Sequence, residues 1–273
     1  LCDNPLARGW VAGVSTSTAK LTTLWTTEAQ TTATKPLGTI WEGGGELVSD
    51  GPGQIIFATG NGATPPVGST APHTLGNSIV RLAVGSTGKL AESDYFAPYN
   101  ADTLDINDQD LGSGAPTLLP ATFGTSSHPS VILQGGKEGY LYLLDAAHFG
   151  GRGATTNNVL GKFGLYGRIF SQPAVYPGEG GYVYSITSGP LLAFKNTPTT
   201  AGGPHLSKVG QSSATFYFTS SSAVVTSDGT TPGSGLVWAI QSPTKDGLNS
   251  NLVAFKAVPA GGVLTQVFSG PIG

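Results

Sequence analysis

The stretch SQPAVYPGEGGYVYSITSGPLLAFK, residues 171–195, contains the pattern that specifies how this chain folds. It holds three short apolar runs, AVY, YVYSI and PLLAF, which are separated by PGEGG and TSG. Runs of this length, rich in Val, Ile, Tyr and Phe and bounded by Gly, Pro, Ser and Thr, are typical of β-strands joined by tight turns. The stretch therefore predicts consecutive strands that build one small sheet.

The same pattern recurs along the chain. Each unit begins with small residues and continues with an apolar strand, a Gly-rich turn, a strand that contains Gly and aromatic residues, and a further strand ending in LLDA or L-x-A-F. The units begin at Gly43, Ser113, Ser171 and near Ser221. A sheet of four strands every 40–60 residues is the spacing of propeller blades. Residues 9–27 have the pattern of the tail of an earlier unit. The sequence predicts an all-β chain, a β-propeller of four-stranded blades, with about four to five blades of a seven- or eight-bladed ring in a single domain over residues 1–273.

The composition restricts the partners. Charged residues make up 11% of the 273 residues and the formal net charge is −3, whereas soluble domains average about 25% charged residues. Nucleic acids and anionic membranes need a dense basic patch, so we expect neither as a partner. The hydroxyl-rich and Lys-poor composition favours an extracellular or periplasmic location. Cys2 is the only cysteine, which excludes a disulfide within the chain.

Two short segments carry candidate chemistry. The strand GQIIFATGNG, residues 53–62, ends on the residues Thr-Gly-Asn. These residues either form a tight turn or present the Asn61 side-chain oxygen to an ion or ligand. The segment NADTLDINDQD, residues 100–110, is the densest set of hard oxygen ligands. It is either a Ca²⁺ site or a loop whose Asx side chains cap its own backbone.

Other residues have weaker signals. Lys137 and Glu138 also fit a solvated pair at a hairpin tip, and the four tryptophans are expected to pack mainly between blades. Exposed aromatic residues on one face of a propeller can stack on sugars, which leaves a role open for Trp41 and Tyr99.

Residues 38–146 resemble the propeller of the quinoprotein dehydrogenases, through ATGNG, LDINDQD and GGKEGYLYLLDA in order. Members of that family bind pyrroloquinoline quinone and Ca²⁺ at the axis of an eight-bladed propeller. The resemblance implies that Asn61 is a Ca²⁺ ligand, that Asp108 is the catalytic base, and that Lys137 hydrogen-bonds the quinone. Asp105, Asp108 and Asp110 would supply carboxylates to the metal.

The chain also departs from the family. The stretch before the TGN strand, GGGELVSD at residues 43–50, has no aromatic residue to stack on the quinone, and Asn107 stands where the family has a Trp. A vicinal disulfide is impossible with Cys2 alone. We therefore expect pyrroloquinoline quinone not to bind and Ca²⁺ to be optional. The leading hypothesis is a secreted, non-catalytic propeller that binds a protein or a glycan or acts as a scaffold, and the alternative is a fragment of a quinone- and calcium-dependent alcohol or sugar dehydrogenase.

Overall fold

The computed structural model describes residue 4, residues 6–29 and residues 37–272; Cys2 lies outside these ranges. Within them the chain forms five antiparallel sheets in sequence order. The strands are β1 (Trp10–Val14), β2 (Leu21–Thr26), β3 (Gln54–Ala58), β4 (Ile79–Val84), β5 (Leu90–Phe96), β6 (Thr117–Leu118), β7 (Val131–Gly135), β8 (Leu141–Asp145), β9 (Gly161–Phe163), β10 (Ala174–Tyr176), β11 (Tyr182–Ile186), β12 (Pro190–Asn196), β13 (Leu206–Thr215), β14 (Val224–Thr226), β15 (Leu236–Gln241), β16 (Asn251–Lys256) and β17 (Gln266–Pro271).

Each sheet is one blade, a meander of neighbouring strands. Blades three, four and five are four-stranded, in the orders β6-β7-β8-β9, β10-β11-β12-β13 and β14-β15-β16-β17. Blade two has β3-β4-β5, and a backbone bridge from Val48 to Ile56 adds a fourth segment beside β3. Among the described residues, blade one has the two strands β1 and β2. The expected propeller of four-stranded blades, with about four to five present, is confirmed, and so is the partial blade at residues 9–27.

The repeated small-residue starts meet where the blades converge. A Cβ atom built on Gly43 would lie 2.4 Å from the carbonyl oxygens of both Ser113 and Phe170. Ser222 Oγ accepts a hydrogen bond of 2.9 Å from the Gln172 backbone N–H and donates one of 3.4 Å to the Gly43 carbonyl. Segments that start four different blades therefore touch one another. Small residues recur at these starts because there is no room for larger ones.

The apolar cores lie between the blades. Blades one and two share a cluster with Phe57 and Val80, and blades two and three share one with Phe96 and Tyr142. Two further clusters join blades three to four and four to five. Each blade therefore depends on its neighbour to bury its face, as expected of stacked repeats.

Helices are short. The acidic segment forms helix α1 (Ala101–Ile106), and 3₁₀ turns cover Glu42–Gly44, Leu111–Ser113, Ala121–Phe123 and Gly178–Gly180. None of the helices in the described ranges is long and apolar enough to cross a bilayer.

Candidate functional site

The Thr-Gly-Asn tip of β3 is rigidly held. Thr59 is fully buried; its hydroxyl accepts a 2.9 Å hydrogen bond from the Ser78 N–H and donates to the Leu75 carbonyl. Gly60 has no space for a side chain, because a Cβ atom there would lie 2.7 Å from Asp110 Oδ1. Asn61 follows immediately, so its position is fixed by the strand end.

Helix α1 and the turn after it bring three carboxylates to this tip. Asp110 Oδ1 accepts a hydrogen bond of 2.7 Å from the Asn61 N–H, and Asp105 Oδ1 accepts one of 2.8 Å from the Gly62 N–H. Asp108 Oδ1 accepts a hydrogen bond of 3.1 Å from Asn61 Nδ2. Asp108 has φ +53°, a left-handed conformation that Asp tolerates better than most residues. The acidic segment is therefore folded against the TGN tip.

Lys137 joins the carboxylates from blade three. It lies in the turn between β7 and β8, and its Nζ contacts Asp110 Oδ2 and lies 3.1 Å from Asp108 Oδ1. Burial lowers the pKa of Lys137, but the hydrogen bonds and charges of Asp110 and Asp108 outweigh that effect and raise it above its usual value. Lys137 is therefore a fixed cation at the site. Its position at a hairpin tip was expected, but the interpretation as a solvated pair was wrong. The Glu138 carboxylate is also engaged, since it accepts hydrogen bonds from Asn100 Nδ2 and Tyr142 Oη, both at the margin of the site.

The structure thus brings together the residues that the sequence nominated for metal binding, catalysis and cofactor binding: Asn61, Asp105, Asp108, Asp110 and Lys137. The metal and catalytic roles of these residues stay predictions. Asn61 Oδ1, the proposed metal ligand, accepts a hydrogen bond of 3.0 Å from Asn77 Nδ2. Across the described part of the chain, no group of three or more His, Cys, Asp or Glu side chains has the arrangement of a metal site.

The Lys137 ammonium also bears on the metal hypothesis. It contacts the two carboxylates that would coordinate Ca²⁺ with Asn61, and like charges a few ångströms apart repel strongly. A calcium ion could therefore bind among these carboxylates only if Lys137 moved away. Lys137 itself supplies the positive charge that compensates the Asp108 and Asp110 carboxylates at the tip.

Trp41 provides the aromatic surface that residues 43–50 lack. Its side chain is 54% exposed, and a Cβ atom on Gly60 would lie 3.0 Å from Trp41 Nε1. The indole therefore contacts the tip that carries Asn61. The expectation that Trp41 packs mainly between blades was wrong, whereas its alternative role as an exposed aromatic residue for stacking stays a prediction. The only sequence signal was the position of Trp41, two residues before the Gly-Gly-Gly run.

Two residues at the site were not nominated by the sequence. Asn77, just before β4, has φ +51°. Besides donating to Asn61, it accepts at Oδ1 a hydrogen bond of 2.8 Å from the Leu111 N–H. It therefore connects the start of β4 to the residue that follows the acidic segment. Glu42, next to Trp41, is buried, and its Oε1 accepts a 2.9 Å hydrogen bond from the Ala58 N–H. Burial raises the pKa of Glu42 to about 8, despite that hydrogen bond. No sequence motif marks either residue.

Solved propellers resemble this chain in structure. A quinohemoprotein alcohol dehydrogenase from Comamonas testosteroni matches with a TM-score of 0.56 and 14% identity, over 97% of this chain and 49% of the dehydrogenase. Quinohemoprotein alcohol dehydrogenase ADHIIG from Pseudomonas putida HK5 matches with a TM-score of 0.53 and 15% identity, over 97% and 48%. The Dos1 propeller matches with a TM-score of 0.54 and 11% identity, over 97% and 54%.

These matches show that the chain has a β-propeller fold, which the quinohemoprotein dehydrogenases and the Dos1 propeller share. It spans about half the length of the propellers it matches. No protein-family model matches the sequence, and none of the curated proteins is similar to it in sequence.

Proposed function

We propose that this chain is a non-catalytic propeller module that binds a glycan at the Thr-Gly-Asn tip. The observation that carries the proposal is the exposed indole of Trp41 against Gly60, beside a set of fixed polar groups. The apolar C–H face of a pyranose ring buries surface well on such an indole. The polar groups of a binding site then fix the orientation of the ligand.

The hydrogen-bonding groups around Trp41 suit sugar hydroxyls. The side chain of Asp108 is 77% exposed, although Lys137 and Asn61 hold one of its oxygens in place. An oriented carboxylate of this kind accepts hydrogen bonds from two vicinal hydroxyls. Asn61 is fixed on both sides, by Asp108 and Asn77, so little side-chain entropy is lost when a ligand binds.

Calorimetry with soluble neutral oligosaccharides, selected on a glycan array, tests the proposal. Trp41→Ala should abolish binding, whereas Trp10→Ala, which removes an indole that is 52% exposed on blade one, should leave it unchanged. Equal affinities of the two variants, or the lack of any glycan ligand on the array, would contradict the proposal.

A second candidate function is favoured by the same indole. A flat cofactor such as pyrroloquinoline quinone would fit on Trp41, with the Lys137 ammonium near its oxygens and the Asp108 carboxylate as the proton acceptor. The quinone, when bound, supplies the two-electron acceptor for alcohol oxidation. The residues present fit the quinone better than they fit Ca²⁺, because Lys137 already neutralises the carboxylates.

The two functions are separated by one assay. The chain is mixed with pyrroloquinoline quinone, Ca²⁺, an artificial electron acceptor and a series of alcohols and aldoses. The module proposal expects no dye reduction. Reduction that is lost in Asp108→Ala and kept in Asp228→Ala, an exposed carboxylate in blade five, would establish the dehydrogenase instead.

The composition supports an extracellular or periplasmic location for this module, since the chain is rich in Ser, Thr and Gly and poor in Lys. Fractionation of the native host, followed by detection of the chain with an antibody, would test this. Recovery in the cytosolic fraction would contradict it.

A further inference from the structure

A second polar site lies away from the Thr-Gly-Asn tip, in a cleft between blades two and three. The cleft has a volume of about 510 Å³, within the range of small-molecule sites. Its floor includes Arg81, Asp94, Tyr95 and Arg152, and its rim includes Thr70 and the exposed His148. No sequence motif points to this cleft.

The floor is built from buried side chains with fixed positions. Arg81 is only 8% exposed; its guanidinium pairs with Asp50 at 2.5 Å and Asp94 at 3.4 Å and lies 4.3 Å above the ring of Phe149. Asp94 Oδ2 also accepts a hydrogen bond of 2.8 Å from the Phe149 N–H. These contacts hold the Arg81–Asp94 pair rigidly between the two blades.

Arg152 fixes the other side of the cleft. It is 7% exposed and pairs with Asp102 at 2.8 Å, and it donates a hydrogen bond of 2.8 Å to the Pro65 carbonyl. The hydrogen bond with Arg152 is the largest of several effects that lower the pKa of Asp102, so this pair stays charged. Tyr95 Oη donates a 2.7 Å hydrogen bond to the Ser69 carbonyl and keeps its lone pairs as acceptors.

The hydrogen-bonding capacity of the lining is not used up by the protein. Arg81 Nε, Arg152 Nε and Gln54 Oε1 are buried atoms that have no hydrogen-bond partner among the described residues, and all three residues line the cleft. Buried polar atoms without partners are rare in native proteins. Three such atoms belong to side chains that line this one cleft, so its polar lining is not fully paired within the described residues.

The charge balance indicates the class of ligand. The two guanidinium groups and the His148 imidazole, whose Nδ1 lies 3.7 Å from Asp94 Oδ2, face three carboxylates, those of Asp50, Asp94 and Asp102. The network therefore has little excess charge to attract an anion or a cation, while hydroxyl, amide, guanidinium and carboxylate groups offer donors and acceptors side by side. We propose that this cleft binds a neutral polyhydroxylated molecule of about monosaccharide size, recognised by hydrogen bonds rather than by stacking.

The test uses the whole chain labelled with ¹⁵N and titrated with glucose, galactose and mannose, with glucuronate and glucosamine as charged analogues. Because the cleft offers no exposed aromatic face, we expect Kd values in the millimolar range, about −4 kcal/mol for 1 mM. At least one neutral sugar should shift the amides of Ser69, Thr70, Asp94 and Gly151 in a saturable way. The absence of such shifts, or binding of a charged analogue more than about tenfold tighter than every neutral sugar, would overturn the proposal.

Variants localise the effect. Thr70→Trp places a bulky side chain on the exposed rim and should abolish the shifts, and Ser93→Trp serves as a second variant that blocks the cleft from β5. Thr18→Trp, on an exposed turn of blade one, is the matched control and should leave binding intact. Shifts that persist in both blocking variants would refute the site. Trp41→Ala should not alter them, so failure here is distinguishable from failure of the glycan site at the Thr-Gly-Asn tip.

Discussion

Lys137 Nζ lies 3.1 Å from Asp108 Oδ1, although 29 positions and a change of blade separate the two residues. The same ammonium contacts Asp110. The pair sets the electrostatics of the Thr-Gly-Asn tip, because one half-buried cation compensates two carboxylates that would otherwise repel each other. It also decides which ligands the tip can accept.

Replacing Lys137 by alanine is expected to give the tip a measurable affinity for Ca²⁺. Without the ammonium, Asp108, Asp110 and the Asn61 amide present hard oxygens with uncompensated charge, which suits that ion. We expect the variant to bind Ca²⁺ at least roughly tenfold more tightly than the wild type in calorimetry. Lys208→Ala, which removes an amine that bonds Gln211 at the surface, should behave like the wild type. Equal Ca²⁺ affinity of the wild type and Lys137→Ala would show that Lys137 does not compete with the metal.

Gly60→Ala should damage the tip. The added methyl carbon would lie 2.7 Å from Asp110 Oδ1 and 3.0 Å from Trp41 Nε1, so one of these groups must move. We expect a loss of roughly 1–3 kcal/mol in the free energy of unfolding, as for other overpacked sites, together with loss of ligand binding at the tip. Gly51→Ala, where nothing lies within 4 Å, is the control. Urea denaturation of the two variants should separate them clearly, and equal midpoints would contradict the crowding at Gly60.

Two neighbouring glycines test the packing where the blades converge. Gly43 and Gly44 both have positive φ, at +51° and +77°, but only Gly43 is crowded. Alanine at Gly44 should show the backbone strain alone, whereas alanine at Gly43 should cost roughly 1–3 kcal/mol more through overpacking. Denaturant titration gives the free energy of unfolding of each variant, and thermal unfolding gives its midpoint temperature. If Gly44→Ala is the more damaging change, the convergence of the blade starts at Gly43 is wrong.

The stability of the chain should fall as the pH rises, because of buried Glu42. Its pKa is about 8 in the folded protein against 4.5 for the free side chain, so the unfolded chain loses this proton first. The stabilising contribution is complete below pH 4.5, declines as the pH rises and is lost above about 8. Since each pKa unit is worth about 1.4 kcal/mol, the difference between 4.5 and about 8 sets an upper bound of roughly 5 kcal/mol for the contribution of Glu42 over this window.

Glu42→Gln isolates this effect. Glutamine keeps the oxygen that accepts the Ala58 hydrogen bond but cannot ionise, so the variant should lose less stability between pH 5 and pH 8.5 than the wild type. Glu28, whose burial also raises its pKa to about 8, should leave part of the pH dependence in place. Glu46→Gln, at an exposed position, should match the wild type. Parallel curves for Glu42→Gln and the wild type in urea denaturation would refute the assignment.

The fold class can be predicted from the order of residues, because its signals are local and repeated. The same blade pattern occurs several times in the sequence: small residues at Ser113, Ser171 and Ser221, followed by short apolar strands and Gly-rich turns. Repetition of this kind leaves few other ways to bury the strand faces. The candidate residues Asn61, Asp108 and Lys137 were nominated from sequence because each lies in a short motif that resembles one of the quinoprotein dehydrogenases.

How these residues meet depends on the packing of one blade against the next. The side chain of Lys137 could lie in solvent or against Asp108 without any change in its local motif, and the choice depends on the contact between blades two and three. Trp41 was expected to pack mainly between blades, because the sequence does not distinguish an exposed tryptophan from a buried one. Glu42 and the Arg81–Asp94 cleft have no motif at all. Their chemistry arises from burial and from pairing across long sequence separations, which the order of residues along one blade does not contain.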